Sequence, residues 1–185
     1  MVAVRELSLH ILDIARNSVE AGARNLALTV VEDPERDRLE IALQDDGRGM
    51  DAETLARVTD PFYTTRTTRH VGLGLPLLKA TCEQAGGVME LTSTPGKGTL
   101  VRCVMKLSNV DRPPLGDLAT VIQSLACESE HTELVYRHVV GDGEFRLDTM
   151  EVKRELEADC LCAPPILQWL GRHVREGLHE LRSRA

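Results

Sequence analysis

The first residues that could do chemistry are an acid and an amide one helical turn apart. Asp13 and Asn17 are four positions apart in a segment whose apolar residues recur at helical spacing, so both project from one face of a predicted helix. An amide oxygen suits Mg²⁺, and a carboxylate one turn earlier can accept a proton from an attacking water or hydroxyl. An ordinary solvated helix face is the alternative interpretation.

A second acid ends an aliphatic run and is followed by glycines. Asp45 comes after the predicted strand 39–43 and before Gly47 and Gly49. A buried carboxylate there can accept a hydrogen bond from an amino group of a ligand, and glycines let the backbone approach that ligand without a Cβ in the way. Asp-Asp-Gly is also an ordinary turn sequence, and Asp46 is assigned to that turn.

A glycine pair opens the second long predicted helix, residues 75–85. In Gly72-Leu73-Gly74-Leu75 the unpaired amides and the positive end of the helix dipole would attract phosphate. The preceding stretch 59–70 is rich in Thr and Arg and is predicted to be a mobile loop. Arg66 or Arg69 could pair with a phosphate there, or could simply be solvated.

Four motifs in this order resemble one known domain. They are Asn17-Ser18-Val19-Glu20-Ala21-Gly22-Ala23, Asp45-Asp46-Gly47-Arg48-Gly49-Met50, Gly72-Leu73-Gly74-Leu75 and Gly96-Lys97-Gly98-Thr99. Over residues 5–107 the chain resembles the ATP-binding domain shared by gyrase, heat-shock chaperones, histidine kinases and mismatch-repair ATPases (the GHKL superfamily, or Bergerat fold). The first motif looks most like the mismatch-repair and topoisomerase-like branch, whereas residues 60–66 resemble the phenylalanine box of histidine kinases. Residues 63–71 resemble a short lid of the histidine-kinase type.

The resemblance implies ATP and Mg²⁺ as ligands. Asn17 would bind Mg²⁺, and Asp13 would be the catalytic acid where the family's ATPases carry a Glu that is longer by one methylene. Asp45 would contact adenine, and the hydroxyl of Thr99 would support that contact. The residues expected to bind ATP are Asn17, Asp45, Gly47, Gly49, Thr65, Arg66, Gly72, Leu73, Gly74, Leu75 and Thr99.

The elements that must position these residues form a mixed pattern. Helices and strands alternate so as to predict a sheet covered on one face by helices, an α/β two-layer sandwich. The Bergerat fold has this architecture. We expect a nucleotide-binding domain over 1–107, a linker over 108–114 and a small C-terminal α+β extension over 115–185 that serves regulation or dimerisation.

Composition narrows the class of protein. The 29 acidic against 22 basic residues, a net charge of −7 and only five aromatic residues argue against a nucleic-acid surface. No apolar run could cross a bilayer and no signal peptide is evident, so a cytoplasmic location is expected. Five cysteines, an odd count, indicate reduced thiols, although Cys160-Leu161-Cys162 could be half of a metal or redox site.

The leading hypothesis is a stand-alone, histidine-kinase-like ATPase or kinase in signal transduction. It would hydrolyse ATP or transfer its γ-phosphate to a partner protein. The alternatives are a non-catalytic, ATP-gated binding module and an anti-sigma-like regulator. An ATP-gated homodimer in DNA maintenance is disfavoured by the acidic charge. His10 lies on the same face of the predicted helix as Asp13 and Asn17. It is not part of a recognisable phosphoacceptor motif, so we expect it to border the pocket and not to be phosphorylated.

Overall fold

A six-stranded mixed sheet is the framework of the protein in a computed structural model that describes residues 6–59, 74–128 and 131–184. The strand order is β3-β4-β2-β1-β5-β6. In chain order the elements are α1 (Leu7–Glu20), β1 (Asn25–Asp33), β2 (Arg38–Asp45), α2 (Ala52–Arg57), α3 (Gly74–Gln84), β3 (Val88–Thr94), β4 (Gly98–Lys106), α4 (Leu118–Glu128), β5 (Glu133–Val140), β6 (Gly143–Asp148), α5 (Thr149–Glu155) and α6 (Pro164–Arg184).

The hydrophobic core lies on one face of this sheet. Alternate residues of β1, β2, β4 and β5 are buried, as a strand with one covered face requires. They pack with apolar side chains of α1, α3, α4 and α6 in a single cluster. Positions between them carry ion pairs, such as Arg102 with Glu40 and Glu90. The predicted two-layer α/β architecture is therefore confirmed.

Local sequence explains where the elements that hold the site begin and end. Helix α1 stops at the turn made by Ala21 and Gly22, and Gly22 takes a φ of +78°, which favours glycine. Pro76 lies in the first turn of α3, where its missing N–H costs no helical hydrogen bond. The side chain of Asp51 accepts a hydrogen bond of 2.8 Å from the Thr54 amide and so caps α2.

The C-terminal extension continues the same sheet. Strand β5 pairs with β1 in parallel, with Leu28 opposite Tyr136, and β6 pairs with β5 in an antiparallel hairpin. The segment predicted as a linker also contacts α1. The Leu7 amide donates to the Pro114 carbonyl at 2.9 Å, and the Ser8 amide donates to that of Leu115 at 2.8 Å. These bonds satisfy two amides at the start of α1.

Helix α6 packs on α4, β5 and β6 and covers this part of the core. Leu170 and Val174 are fully buried, with Trp169 and Leu178 packed beside them. These residues recur at helical spacing, and the face that they form on α6 packs as part of the core. Across the described ranges, no helix has the length and apolar character that a membrane span needs.

The cysteines differ in part from expectation. Cys82, Cys103 and Cys127 are free thiols, as predicted. Cys160 and Cys162 are joined in a disulfide, with Cα atoms 5.5 Å apart. The prediction of reduced thiols was therefore wrong for this pair. The loop between α5 and α6 brings the two Cα atoms within the range that a disulfide bridges, which the count of cysteines alone does not reveal.

Candidate functional site

A buried carboxylate forms the centre of the candidate site. Asp45, the last residue of β2, is 6% exposed. Its Oδ1 accepts hydrogen bonds from the amides of Gly47 at 2.9 Å and Thr99 at 3.2 Å. Its Oδ2 accepts one from the Ser18 hydroxyl at 2.6 Å. Three donors from α1, the turn after β2 and strand β4 therefore fix the orientation of one acid.

Ser18 is a residue of the candidate site that sequence reasoning missed. It stands next to Asn17 in the first motif, yet its side chain is buried and points to Asp45. A signal was present, because Ser18 follows Ile11 and Ile14 on the apolar side of α1. A hydroxyl on a buried helix face needs a hydrogen-bond partner, and a nearby buried acid is a suitable one.

The turn after β2 and the turn between β3 and β4 fit together through backbone. The Gly96 amide donates to the Arg48 carbonyl at 2.8 Å, and the Met50 amide donates to the Ser93 hydroxyl at 2.8 Å. The same hydroxyl donates to the Gly98 carbonyl at 2.9 Å. The second and fourth motifs therefore form one hydrogen-bonded unit beside Asp45.

Two glycines in this unit are required by close backbone approach. Gly49 has a φ of +64°, and a Cβ on it would lie 2.1 Å from the Thr94 carbonyl oxygen. Gly98 has a φ of +91°, and its Cβ would lie 1.9 Å from the Asp45 carbonyl oxygen. A side chain at either position would meet backbone that cannot move aside. Contact between the two turns is thus a sufficient reason for both glycines.

Asp46 belongs to the turn, as predicted. Its Oδ1 accepts from the amides of Arg24 at 2.7 Å and Asn25 at 2.8 Å, and its Oδ2 accepts from the Asn25 side chain at 2.7 Å. The hydrogen bonds from Asn25 hold the pKa of Asp46 below its ordinary value. The two adjacent aspartates therefore differ, since one orders the turn and the other is buried in the pocket wall.

Asp13 lies against the start of α3. A Cβ built on Gly74 would be 1.8 Å from Oδ2 of Asp13, so the acid occupies the space that any side chain at Gly74 would need. Asn17 is half-buried one turn further along α1, and Leu75 is partly buried against the core. The structure therefore places the predicted acid against Gly74, at the start of α3.

His10 lies one turn before Asp13 and is 3% exposed. Its Nε2 is 3.3 Å from the Thr81 hydroxyl of α3. Burial lowers the pKa of His10, although the charge of Asp13 partly opposes this shift. The imidazole is thus buried between α1 and α3.

Apolar side chains continue inward from the buried carboxylate. Leu43 and Val101 lie two residues from Asp45 and Thr99 on the same face of the sheet. They line a small cavity together with Leu7, Ile11, Ile14, Ile41, Leu78 and Cys103. The lining of this cavity is apolar and does not include Asp45, so the cavity is part of the hydrophobic core and is too small to admit a ring.

Four of the predicted ATP-binding residues lie outside the described residues. These are Thr65, Arg66, Gly72 and Leu73. The remaining predicted residues lie on α1, at the end of β2 and in the turn after it, at the start of α3 and at the start of β4. These are neighbouring helices and strands of the two layers.

Comparison with known proteins gives a consistent answer. The family described as "Histidine kinase-, DNA gyrase B-, and HSP90-like ATPase" matches residues 3–109. The "Sensor protein kinase FleS" of Pseudomonas aeruginosa is 38% identical over 97 residues, which is 52% of this chain and 24% of the relative. The "Non-motile and phage-resistance protein" of Caulobacter vibrioides is 34% identical over 116 residues, 60% of this chain and 14% of the relative.

A solved structure supports the fold alone. The "N terminal domain of a DNA repair protein" superposes with a TM-score of 0.52 and 18% identity, covering 79% of this chain and 52% of that one. The chain spans no more than about a quarter of the length of the two relatives above. The family match covers more than half of the chain, and the chain therefore belongs to the histidine kinase-, DNA gyrase B- and HSP90-like ATPases.

Proposed function

We propose that the chain binds Mg-ATP and hydrolyses it or passes its γ-phosphate to a partner protein in signal transduction. The observation that carries this proposal is the carboxylate of Asp45. A carboxylate offers about four acceptor sites, and the described hydrogen bonds use two on Oδ1 and one on Oδ2. One acceptor site on Oδ2 thus remains for the amino group of adenine.

The phosphate end is proposed at Asp13 and the start of α3. Adenine at Asp45 would direct the triphosphate along α1 towards Gly74, where Asp13 lies. Helix α3 has eleven residues, and the positive end of its dipole favours phosphate. Because phosphoryl transfer needs mainly positioning and charge neutralisation, an acid at this point is well placed to act.

A magnesium ion fits the donors in this region. The amide oxygen of Asn17 is a hard ligand, and Asn17 is only half-buried, so it leaves room for waters and phosphate oxygens. No cluster of three or more His, Cys, Asp or Glu side chains suited to a metal occurs among the described residues. A site completed by phosphate and water fits this arrangement better than a cage made only of protein ligands. Bound Mg²⁺ would neutralise charge on the phosphates.

In hydrolysis, a water oxygen would bond to the γ-phosphorus while the bond to the β–γ bridging oxygen breaks. Asp13 would take the proton of that water, and ADP would leave. In transfer, a nucleophilic side chain of a partner protein replaces the water. A cytoplasmic setting, with residues 115–185 serving regulation or self-association, completes the proposal.

A second function is favoured by one observation. Asp13 is shorter than the glutamate of related ATPases and lies directly against Gly74. An acid held there could fall short of a nucleophile, and the chain would then be an ATP-gated binding module, such as an anti-sigma-like regulator. A measurement of ATP turnover distinguishes the catalyst from the binding module.

The test follows the γ-phosphate. The pure protein is incubated with Mg²⁺ and γ-labelled ATP, alone and with candidate partners, and the label is partitioned between ATP, free phosphate and protein. We expect released phosphate or labelled protein, lost in Asp13→Asn but kept in Asp142→Asn, an exposed acid at the β5–β6 turn. Label that stays in ATP despite measurable binding would favour the binding module. Absence of any ATP binding would overturn both functions.

A further inference from the structure

The hydroxyl of Ser93 has every hydrogen-bonding position occupied. A serine hydroxyl has one proton to donate and two lone pairs to accept with. Ser93 lies on β3 and contacts three groups at 2.8–2.9 Å, namely the Met50 amide, the Gly98 carbonyl and the Thr99 hydroxyl. The amide can only donate and the carbonyl can only accept. Together they use one lone pair and the single proton.

One lone pair of Ser93 is left for Thr99. The two hydroxyl oxygens are 2.9 Å apart, and with the proton of Ser93 committed to Gly98, Thr99 must be the donor in this contact. The proton of Thr99 thus points towards Ser93. The oxygen of Thr99 then offers only lone pairs to any other neighbour.

From this count we infer that Ser93 is a positioning residue that makes the Thr99 hydroxyl an acceptor, and so selects a 6-amino purine over a 6-oxo purine. The inference rests on the proposed binding of ATP at Asp45. The Thr99 amide donates to Oδ1 of Asp45 at 3.2 Å, which places the residue that carries this hydroxyl beside the carboxylate in the wall of the proposed site. Both present acceptors only, and such a wall favours N–H groups or a water that donates to it.

A 6-oxo purine presents an acceptor to these acceptors, where a donor is needed. The amino group of adenine supplies two protons, whereas the O6 atom of hypoxanthine or guanine supplies none. Oxygen facing oxygen without a proton leaves both acceptors unpaired, which is the costly case for a buried polar pair. With Ser93 removed, the Thr99 hydroxyl could rotate and donate to O6, and the penalty would fall.

The experiment compares Mg-ATP with Mg-ITP, which differ at the 6-position, by calorimetric titration. We expect the wild type to prefer ATP. Ser93→Ala should reduce the ratio of ITP to ATP dissociation constants about tenfold, as expected for one hydrogen bond. Ser93→Thr, which keeps a hydroxyl and suits a strand, should restore the ratio.

A double variant separates positioning from simple structural support. Thr99→Val removes the hydroxyl that Ser93 orients. In that background we expect Ser93→Ala to leave the ITP to ATP ratio unchanged, because no hydroxyl remains to reorient. A structural role would lower both affinities equally and would persist in the Thr99→Val background.

The outcomes are distinguishable. Wild type that binds ATP and ITP equally, or Ser93→Ala that keeps the wild-type ratio, overturns the inference about Ser93 and leaves ATP binding standing. Wild type that binds neither nucleotide overturns the proposed function and this inference with it. If Ser93→Ala does not fold, Ser93→Cys takes its place, because a thiol fills similar space but is a weak donor and acceptor.

Discussion

Two buried polar side chains in this protein differ in whether all their hydrogen-bonding positions are used. Both ring nitrogens of His138 are paired, and we call its surroundings the closed cluster, whereas Asp45 keeps an acceptor site, and we call its surroundings the open cluster. In the C-terminal extension, His138 is fully buried, with Nδ1 2.6 Å from the Tyr136 hydroxyl and Nε2 2.8 Å from Glu32. Arg182 of α6 also donates to Glu32, at 3.1 Å. Both ring nitrogens of this histidine have partners within the protein. At Asp45, by contrast, an acceptor site remains after all the described bonds are counted.

The difference distinguishes structural polar groups from candidate binding groups. A buried polar group needs at least one hydrogen-bond partner, and Oδ2 of Asp45 has one in Ser18. Its remaining acceptor site can therefore take a donor from a ligand, whereas both ring nitrogens of His138 are already paired. The cluster around His138 fastens α6 to β1 and β5. The cluster around Asp45 is oriented by three donors and remains able to accept a fourth.

The largest expected effect is on the open cluster. Asp45→Asn replaces an acceptor oxygen with an amide that cannot serve all the donors around it. We expect ATP affinity to fall about 100-fold, corresponding to roughly 2.7 kcal/mol for a bond to a charged group. Calorimetric titration measures this fall. Glu32→Gln, a matched change in the closed cluster, should bind ATP as the wild type does, and equal losses in both variants would remove the distinction between the clusters.

A smaller effect is expected at the phosphate end. Gly74→Ala places a methyl group where Oδ2 of Asp13 now lies, so the acid must move. We expect turnover to fall on the order of tenfold or more, since a small misplacement of a reacting group is costly. ATP affinity should change less than turnover, because the proposed contact with adenine is at Asp45 and not at Gly74. Steady-state rates and titration together measure the split, and unchanged turnover would mean that Asp13 is not the proton acceptor.

The closed cluster should respond in stability alone. Tyr136→Phe leaves Nδ1 of the buried His138 without its partner. We expect a loss of about 1–3 kcal/mol in the free energy of unfolding, measured by urea denaturation, with ATP affinity unchanged. The exposed Thr92→Val on β3 is a control, which should be nearly neutral. A change in ATP affinity in Tyr136→Phe would show that the extension communicates with the site.

The smallest effect concerns pH. Burial lowers the folded-state pKa of His10 below its ordinary value of 6.5. The unfolded chain therefore binds a proton that the folded protein does not, and stability decreases as pH falls from about 6.5 towards that lowered pKa. The slope contributed by one histidine is at most about 1.4 kcal/mol per pH unit. We expect His10→Asn to flatten the pH dependence of unfolding between pH 7 and 5. An identical slope in both proteins would contradict the shift.

Sequence periodicity predicted most of the fold because each element here carries its own local pattern. The strand expected over 39–43 is β2, which spans Arg38–Asp45, and the helix expected over 75–85 is α3, which spans Gly74–Gln84. The pairing of β5 with β1 was beyond reach, since it joins residues more than a hundred positions apart. No local pattern specifies which strand a distant hairpin will join.

The prediction of site residues was limited in the same way, because a local pattern does not reveal a partner that is distant in sequence. Asp45 could be named as a candidate because a carboxylate between a strand and a pair of glycines is a local pattern. Ser18 and Ser93 were missed because their importance lies in partners that folding supplies, Asp45 for one and Met50, Gly98 and Thr99 for the other. Hydroxyl residues are common, and only the completed hydrogen-bond count separates these two from the rest.

The most direct test of nucleotide binding at this site is a crystal structure with Mg²⁺ and a non-hydrolysable ATP analogue. We expect the adenine amino nitrogen within hydrogen-bonding distance of Oδ2 of Asp45, roughly 2.7–3.2 Å. We also expect the phosphates at the start of α3, with Mg²⁺ on the oxygen of Asn17 and Asp13 beside the γ-phosphate. An analogue bound with its base away from Asp45, or at another surface of the protein, would contradict the proposed site.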